Sequence, residues 1–389
     1  MPGPFVRKMR GLALFAACLA VVLPSALADS PTLLKTTFRS TLLPFDNTAS
    51  KVAESSVDAP TTNAVLKVVT SVKAGNDQTF ANVLIDTGSA ILWVGGEVAY
   101  EPGPNSKLFG DFSIGYSVGG ASGPAYTDKV TIGDASVKSQ IIGASNLTSG
   151  FATEKPIDGI LGLGPANSNA GQILGQNSTP TFVESLVAEG TIKQAVFGVF
   201  ISSLDPSSGL EITQGEISFG GVDEDKITGD VVWLDQTPPV NFHWEFNVSS
   251  LSFGSLQLTN TSMPARTDTG VLPVGIPFDS LFAIIDAVPG ATLSEEGFLN
   301  GFLAFAPNVT ASSLPSLSVG LGDQIFDLPA SKYLVPKALY ASLNLTQDLV
   351  YTWIASAGPD TFSIGQKWLE GIYSAYDLVG HRVGFAHLK

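Results

Sequence analysis

The chain has 389 residues, of which 44% are hydrophobic and only 14% charged, so it has ample material for a large apolar core. Its 20 Lys and Arg residues against 35 Asp and Glu residues give a formal net charge of −15, which excludes the basic stripe that nucleic-acid binding requires. The length predicts two or three domains.

The first 28 residues have the pattern of a secretory signal. Three basic residues among the first ten precede an apolar run over residues 11–23, and residues 26–28 form the cleavage pattern Ala-Leu-Ala. Because the run is shorter than the roughly 20 residues of a membrane span, we expect cleavage, secretion and no membrane association. Cleavage also removes Cys18, the only cysteine, which excludes disulfides, thiol catalysis and cysteine-ligated zinc in the mature chain.

The remaining composition argues against a metal site and for glycosylation. The whole chain has three histidines, so we expect no histidine-rich metal site and no cofactor. Asn-x-Ser/Thr triplets in a secreted chain predict N-glycosylated surface loops. Six such triplets start at Asn146, Asn177, Asn247, Asn260, Asn308 and Asn344.

Residues 29–62 are polar and show no consistent period, which indicates a leader, a short pro-segment or an extended arm. From about residue 66 onward, short runs rich in Val, Ile, Thr and Phe alternate with Gly, Pro, Asn and Asp, as is typical of an all-β protein. Strands are predicted at residues 83–85, 129–132, 195–200 and 216–219. Two short helices are predicted over residues 181–188 and 278–288.

One internal repeat organises the chain. The triplet Asp-Thr-Gly occurs at residues 86–88 and again at 268–270, and each copy is followed later by an apolar residue and glycine, at 160–162 and 364–365. Two half-chains with the same order of motifs predict two duplicated β lobes that face one another.

Two Asp-Thr-Gly loops brought together have a specific chemistry. A single copy is most often an ordinary turn, but two carboxylates about 3 Å apart cannot both ionise and so share a proton. One carboxylate then acts as a base toward water, while the other acts as an acid toward a substrate carbonyl. Glycine permits the tight loop, and the threonine hydroxyl can fix it by hydrogen bonding.

Further motifs follow the repeat in a fixed order. They are residues 85–89 with Trp93, the run 112–116 with the glycine pair 119–120, and residues 158–164, 215–221, 373–377 and 382–386. This ordered set resembles the pepsin-type aspartic proteases, and most closely their fungal, polyporopepsin-like members, from about residue 63 to the C-terminus.

The resemblance implies an all-β, bilobal pepsin-like fold with a central cleft, an N-terminal lobe over residues 63–236 and a C-terminal lobe over 237–389. It implies a monomeric, secreted aspartic endopeptidase that cleaves peptide or protein substrates beside hydrophobic residues, with an optimum below about pH 5. The implied catalytic pair is Asp86 and Asp268, supported by Thr87, Gly88, Ser89, Thr269 and Gly270. The implied flap and substrate-binding residues are Tyr116, Trp93, Ser117, Val118, Ile160 and Val271, with the Tyr116 hydroxyl directed toward Trp93.

The second loop departs from the family pattern. Arg266 and Thr267 stand where two apolar residues are usual, and Val271 stands where the family has a hydroxyl that donates to the second carboxylate. We expect the loss of that hydrogen bond to cost about 1 kcal/mol. We expect Arg266 to point away from Asp268, since an arginine that reached this carboxylate would hold it ionised.

Two alternatives to an active aspartic endopeptidase follow from these patterns. The main one is a catalytically impaired relative that binds peptides or protein partners in the cleft. A carboxylate-pair glycosidase is more distant, because no aromatic sugar platform is evident.

Asp286 also follows apolar residues but lacks the Thr-Gly of the loop, so we interpret it as a solvated helix residue.

Overall fold

The computed structural model describes residues 33–45, 63–117, 119–150, 156–203 and 213–389. The predicted signal, most of the leader and Val118 lie outside the described residues. Within the described ranges, strands dominate and helices are short, as the all-β prediction requires. None of the helices found there is long and apolar enough to cross a membrane.

The first half of the chain supplies twelve of the described strands. They are β1 (Leu34–Phe45), β2 (Asn63–Ala74), β3 (Gln78–Asp86), β4 (Leu92–Val94), β5 (Lys107–Tyr116), β6 (Gly119–Ile132), β7 (Ala135–Ala144), β8 (Leu147–Ser149), β9 (Gly159–Gly162), β10 (Val196–Ile201), β11 (Thr213–Phe219) and β12 (Ile227–Asp235). Helix α1 (Phe182–Ala188) lies between β9 and β10.

The second half contributes shorter strands and three helices. The strands are β13 (Glu245–Val248), β14 (Ser250–Phe253), β15 (Leu256–Thr259), β16 (Met263–Thr267), β17 (Val274–Ile276), β18 (Ala291–Leu293), β19 (Leu303–Phe305), β20 (Leu317–Leu321), β21 (Gln324–Leu328), β22 (Val350–Tyr351), β23 (Ile354–Ser356), β24 (Phe362–Ile364), β25 (Ile372–Asp377) and β26 (Arg382–Leu388). The helices are α2 (Phe278–Ala287), α3 (Ala330–Tyr333) and α4 (Gln366–Leu369).

One large sheet runs through the described part of the molecule, in the order β12-β26-β25-β10-β11-β1-β2-β3-β9-β4-β7-β6-β5 with β8 on β6. Three smaller sheets belong to the second half: β13-β16-β24-β17-β23, β15-β14-β20-β21 and β18-β19-β22. The C-terminal hairpin β25–β26 pairs with β10 and β12 of the first half. This hairpin follows residue 237 in the sequence but pairs with strands that precede it. A lobe boundary at residue 237 therefore stays a prediction.

The repeated triplets lie in two copies of the same four-strand arrangement. In the first copy, β3 pairs in parallel with β9, β4 pairs antiparallel with β9, and β4 pairs in parallel with β7. In the second, β16, β24, β17 and β23 repeat these three pairings in the same orientations. Each Asp-Thr-Gly loop therefore follows a strand that pairs with the strand carrying the predicted apolar-Gly motif. This confirms that the sequence repeat corresponds to a repeat in the structure.

The predicted leader includes a strand that the sequence pattern did not show. Strand β1 lies between β11 and β2 and pairs antiparallel with both. Phe38 is buried against Gly215, where a Cβ atom would come within 1.7 Å of the phenylalanine ring. Lys35 forms ion pairs with Asp223 at 2.5 Å and Glu216 at 3.1 Å. The strand was missed because long-range contacts, and not a local period, fix it in place.

Both predicted helices are confirmed. Helix α1 begins after Thr181, whose hydroxyl accepts from the Glu184 backbone N–H while the Glu184 carboxylate accepts from the Thr181 backbone, a complete capping box. Helix α2 packs Leu281 and Ile284 inward and leaves Asp286 exposed, as predicted for a solvated helix residue.

Candidate active site

The two Asp-Thr-Gly loops meet through a reciprocal pair of hydrogen bonds. The Thr87 backbone N–H donates to Thr269 Oγ1 at 3.0 Å, and the Thr269 backbone N–H donates to Thr87 Oγ1 at 3.0 Å. Thr269 Oγ1 also donates to the Ile85 carbonyl at 2.8 Å. Both threonines are buried, so these bonds are shielded from water and fix the loops relative to one another.

This pairing brings the two aspartates into contact. A Cβ atom on Gly270 would lie 2.7 Å from Asp86 Oδ1 and 3.1 Å from Asp268 Oδ1, so the two carboxyl groups are neighbours. Asp86 is buried and accepts from the Gly88 backbone N–H at 2.8 Å and from Ser89 Oγ at 2.5 Å. Asp268 is half-buried and accepts from the Gly270 backbone N–H at 2.8 Å. The two carboxyl groups are therefore close enough for the charge of Asp86 to act on Asp268.

The loop glycines are required by this close approach. A Cβ atom on Gly88 would lie 2.4 Å from Asp268 Oδ2, and one on Gly270 would lie 2.7 Å from Asp86 Oδ1. Each glycine therefore leaves room for the carboxylate of the opposite loop, and any side chain at either position would separate the pair.

The electrostatic environments of the two carboxylates differ. Burial, and then the neighbouring Asp86 charge, raise the pKa of Asp268 to about 7. The Gly270 N–H and the Arg266 guanidinium act in the opposite direction and lower this pKa, but they do not cancel the effect of burial. Asp86 has a hydroxyl donor in Ser89, whereas the corresponding residue on the other loop is Val271, which has none. The pair is thus asymmetric, with Asp268 favouring the protonated form.

A hairpin of β5 and β6 covers the pair. The hydroxyl of Tyr116, at the end of β5, accepts a hydrogen bond from Trp93 Nε1 at 2.8 Å. This is the contact that the family resemblance implied. Burial and the nearby Asp86 charge raise the pKa of the Tyr116 hydroxyl, so it stays protonated. Ser117 follows at the tip of the hairpin.

A cavity of about 320 Å³ lies between the hairpin and the two aspartates. The predicted residues that line it are Asp86, Gly88, Ser89, Tyr116, Ser117, Ile160, Asp268, Gly270 and Val271. Thr87, Thr269 and Trp93 lie behind this surface. Most of the predicted site therefore converges on one cavity, with the threonines in a supporting position.

Five cavity residues were not singled out from the sequence: Lys67, Leu84, Ser168, Gln172 and His243. Leu84 could have been found, because it precedes Asp86 by two residues on β3 and so shares its face. The other four come from separate strands and loops, and their convergence depends on the long-range fold.

The expectation for Arg266 is wrong. Residues two apart on a strand share a face, so Arg266 projects on the same side as Asp268, and both line the cavity. The intervening Thr267 points inward instead, where its buried hydroxyl lies 3.2 Å from the Tyr376 hydroxyl. The two unusual residues before Asp268 thus lie in different environments. The threonine hydroxyl has a hydrogen-bond partner in the core, and the arginine adds a positive charge to the cavity wall.

Two other expectations concern glycosylation at the surface and the binding of a metal ion. The asparagine of each predicted glycosylation triplet is exposed. Within the described residues, no group of three or more His, Cys, Asp or Glu side chains is arranged to hold a metal ion.

This fold and site define an aspartic-type endopeptidase. The model of the eukaryotic aspartyl protease family matches residues 68–388, and the chain belongs to that family. It is 31% identical to polyporopepsin of Irpex lacteus over 84% of this chain and 96% of the relative. It is 29% identical to gastricsin of Cavia porcellus over 78% of this chain and 76% of that relative.

A solved structure supports the same assignment. The crystal structure of the aspartic proteinase from Irpex lacteus superposes with a TM-score of 0.74 at 30% identity, covering 83% of this chain and 94% of that one. The pepsin-like fold class predicted from the sequence is confirmed.

Val271 gives a first testable prediction. Val271→Thr places a hydroxyl where it can donate to the outer oxygen of Asp268, and we expect kcat to rise by at most about tenfold, because one neutral hydrogen bond contributes up to about 1.4 kcal/mol. Val271→Ala is the matched control, since it shortens the side chain without adding a donor. Steady-state kinetics on one peptide compare the three proteins, and an equal gain in both variants would show that bulk at this position, and not the donor, matters.

Proposed function

We propose that the protein is a secreted aspartic endopeptidase in which water is activated between Asp86 and Asp268. The observation that carries this proposal is the pair of neighbouring carboxyl groups, Asp86 and Asp268, which line one cavity in different environments. Both carboxylates come from one chain, so a monomer is sufficient for activity.

The asymmetry assigns a role to each aspartate. The Gly88 N–H and the Ser89 hydroxyl both stabilise the ionised form of Asp86, which makes it the general base that takes a proton from water. Burial keeps Asp268 protonated, which makes it the general acid that donates to the substrate carbonyl oxygen. After water has added to the carbonyl carbon, the proton on Asp86 can pass to the leaving amine as the carbon–nitrogen bond breaks. Asp268 takes back a proton from one hydroxyl of the intermediate as the carbonyl forms again, which restores the starting state of the pair.

The cavity wall supports a preference for hydrophobic side chains beside the scissile bond. Leu84, Ile114 and Ile160 form an apolar surface next to Asp86, and the ring of Tyr116 closes it from above. Burying one substrate side chain of leucine size against such a surface contributes about 1.5–3 kcal/mol.

The pH dependence follows from the direction of the Asp268 shift. Asp268 carries the acid proton below about pH 7 and loses it above, so kcat/KM is expected to fall about tenfold per pH unit on the alkaline side. The rate is therefore expected to be higher in acid than above pH 7. A pH–rate profile on a neutral peptide tests the proposal, and a rate that is still rising at pH 8 would contradict it.

Secretion and glycosylation belong to the same proposal. They rest on the signal pattern of the first 28 residues and on the exposure of the six triplet asparagines. An impaired, peptide-binding relative is the second candidate, and Arg266 together with Val271 is the observation in its favour. The two candidates are separated by whether purified protein cleaves a denatured protein substrate in acid.

A further inference from the structure

The cavity over the catalytic pair is lined by more basic than acidic side chains. Its lining includes the basic side chains of Lys67, His243 and Arg266, while its acidic lining residues are Asp86 and Asp268. Because the pair retains one proton, it carries a single negative charge in the active state. The lining therefore brings basic side chains next to the scissile bond, in addition to apolar ones.

Arg266 is the basic group that the structure ties most closely to the reacting atoms. It is two residues before Asp268, on the same face of the chain, and its charge acts on that carboxyl. The residues of β16 alternate between buried and exposed, and Arg266 occupies an exposed position. Its guanidinium is thus accessible to a bound peptide.

Arg266 has acidic neighbours but forms no ion pair with them in the described part of the chain. Glu245 lies opposite it in the register between β13 and β16, yet no ion pair among the described residues includes Arg266. Thr267 and Ala265, on either side, are buried and point the other way. A guanidinium held at a cavity wall with five N–H donors matches a carboxylate in charge and geometry.

We propose, on the basis of the proposed function, that Arg266 binds an acidic side chain of the substrate beside the scissile bond. The enzyme then prefers Glu or Asp at one position flanking the cleaved bond over the neutral amide of the same shape. The other walls of the cavity keep their preference for apolar side chains. Arg266 is a specificity-determining residue in this account, and the reaction at the aspartates is unchanged.

The test uses quenched fluorescent peptides that share one hydrophobic cleavage site. Glu or its isostere Gln is placed in turn at each of the two positions on either side of the bond, and kcat/KM is measured at pH 5.5, where the glutamate side chain is mostly ionised. We expect a Glu/Gln ratio of about 5–10 at one position, which decreases at 1 M salt because the charges are screened.

Variants assign the preference to one residue. Arg266→Gln is expected to bring the ratio to about 1, whereas Arg266→Lys keeps part of it. Lys138→Gln removes an exposed cation from β7, outside the cavity lining, and is expected to leave the ratio as in the wild type. Lys67→Gln removes the charge of the lysine that lines the same cavity, and it tests whether Lys67, and not Arg266, causes the preference.

Three outcomes overturn the proposal: a wild-type ratio near 1 at all four positions, the same ratio in Arg266→Gln as in the wild type, or a loss of the ratio in Lys67→Gln alone. These failures differ from failure of the proposed function, in which none of the peptides, neutral ones included, is cleaved. Cleavage of the Gln peptides without any charge preference would leave the protease assignment intact and remove only the role of Arg266.

Discussion

Asp86→Asn is expected to abolish peptide cleavage, with kcat at least about 10³-fold below the wild type. The amide cannot take a proton from water, and it cannot share one with Asp268, so the base is lost while the loop retains its shape. Gly88 N–H can still donate to the side-chain oxygen of the asparagine, and Thr87 and Thr269 still join the loops. The thermal unfolding temperature is therefore expected to change little.

The control for this prediction is Asp286→Asn. Asp286 also follows two apolar residues, but it is exposed on α2 and is absent from the cavity lining. Its substitution is expected to leave kcat and KM as in the wild type. Retention of more than a tenth of wild-type kcat by Asp86→Asn would show that the aspartate pair does not carry the reaction.

Thr269→Val is expected to reduce both stability and turnover. The Thr269 hydroxyl accepts from the Thr87 N–H and donates to the Ile85 carbonyl, and valine leaves both of these buried groups without a partner. We expect the free energy of unfolding to fall by about 2–4 kcal/mol. We expect kcat to fall by about 10- to 100-fold, because the carboxylates are held at the required separation only by the joined loops.

Thr269→Ser separates these effects from a general loss of packing. Serine keeps the hydroxyl and removes one methyl group, so it is expected to retain most of the stability and turnover. Denaturant unfolding and steady-state kinetics measure the two quantities in parallel. If valine and serine behaved alike, the reciprocal hydrogen bonds would not be what positions Asp86 and Asp268.

The candidate active-site residues could be predicted from the sequence because the proposed chemistry demands a short, repeated motif. Asp-Thr-Gly needs glycine for close approach, threonine for the joining bonds and aspartate for the proton, so all three residue types recur together at 86–88 and 268–270. The capping box of α1 is similarly local, since Thr181 and Glu184 satisfy each other within one turn.

The remaining parts of the site depend on contacts that no local pattern shows. Strand β1 is held by pairing with β11, more than 170 residues away in the chain, and by the fit of Phe38 over Gly215. Lys67 and His243 reach the cavity from opposite halves of the sequence. The error over Arg266 is of another kind: the period-two rule places it on the same face as Asp268, and the sequence alone was sufficient to show this.

Arg266 and Val271 together make the second half of the site differ from the first. One adds a positive charge near Asp268 and the other removes a hydroxyl donor, yet burial keeps the pKa of this carboxyl raised to about 7. The acid form of Asp268 therefore survives both changes. This balance favours an active enzyme over an impaired binding protein.

Active-site titration with pepstatin tests the central claim most directly. The inhibitor is added in increasing molar ratio to purified protein that is cleaving a denatured protein substrate at acid pH. The account predicts that activity falls linearly to zero at one inhibitor per chain and that Asp86→Asn protein has no activity to titrate. Cleavage that is indifferent to excess pepstatin, or wild-type protein that cleaves nothing across the acid range, would contradict a catalytic pair at Asp86 and Asp268.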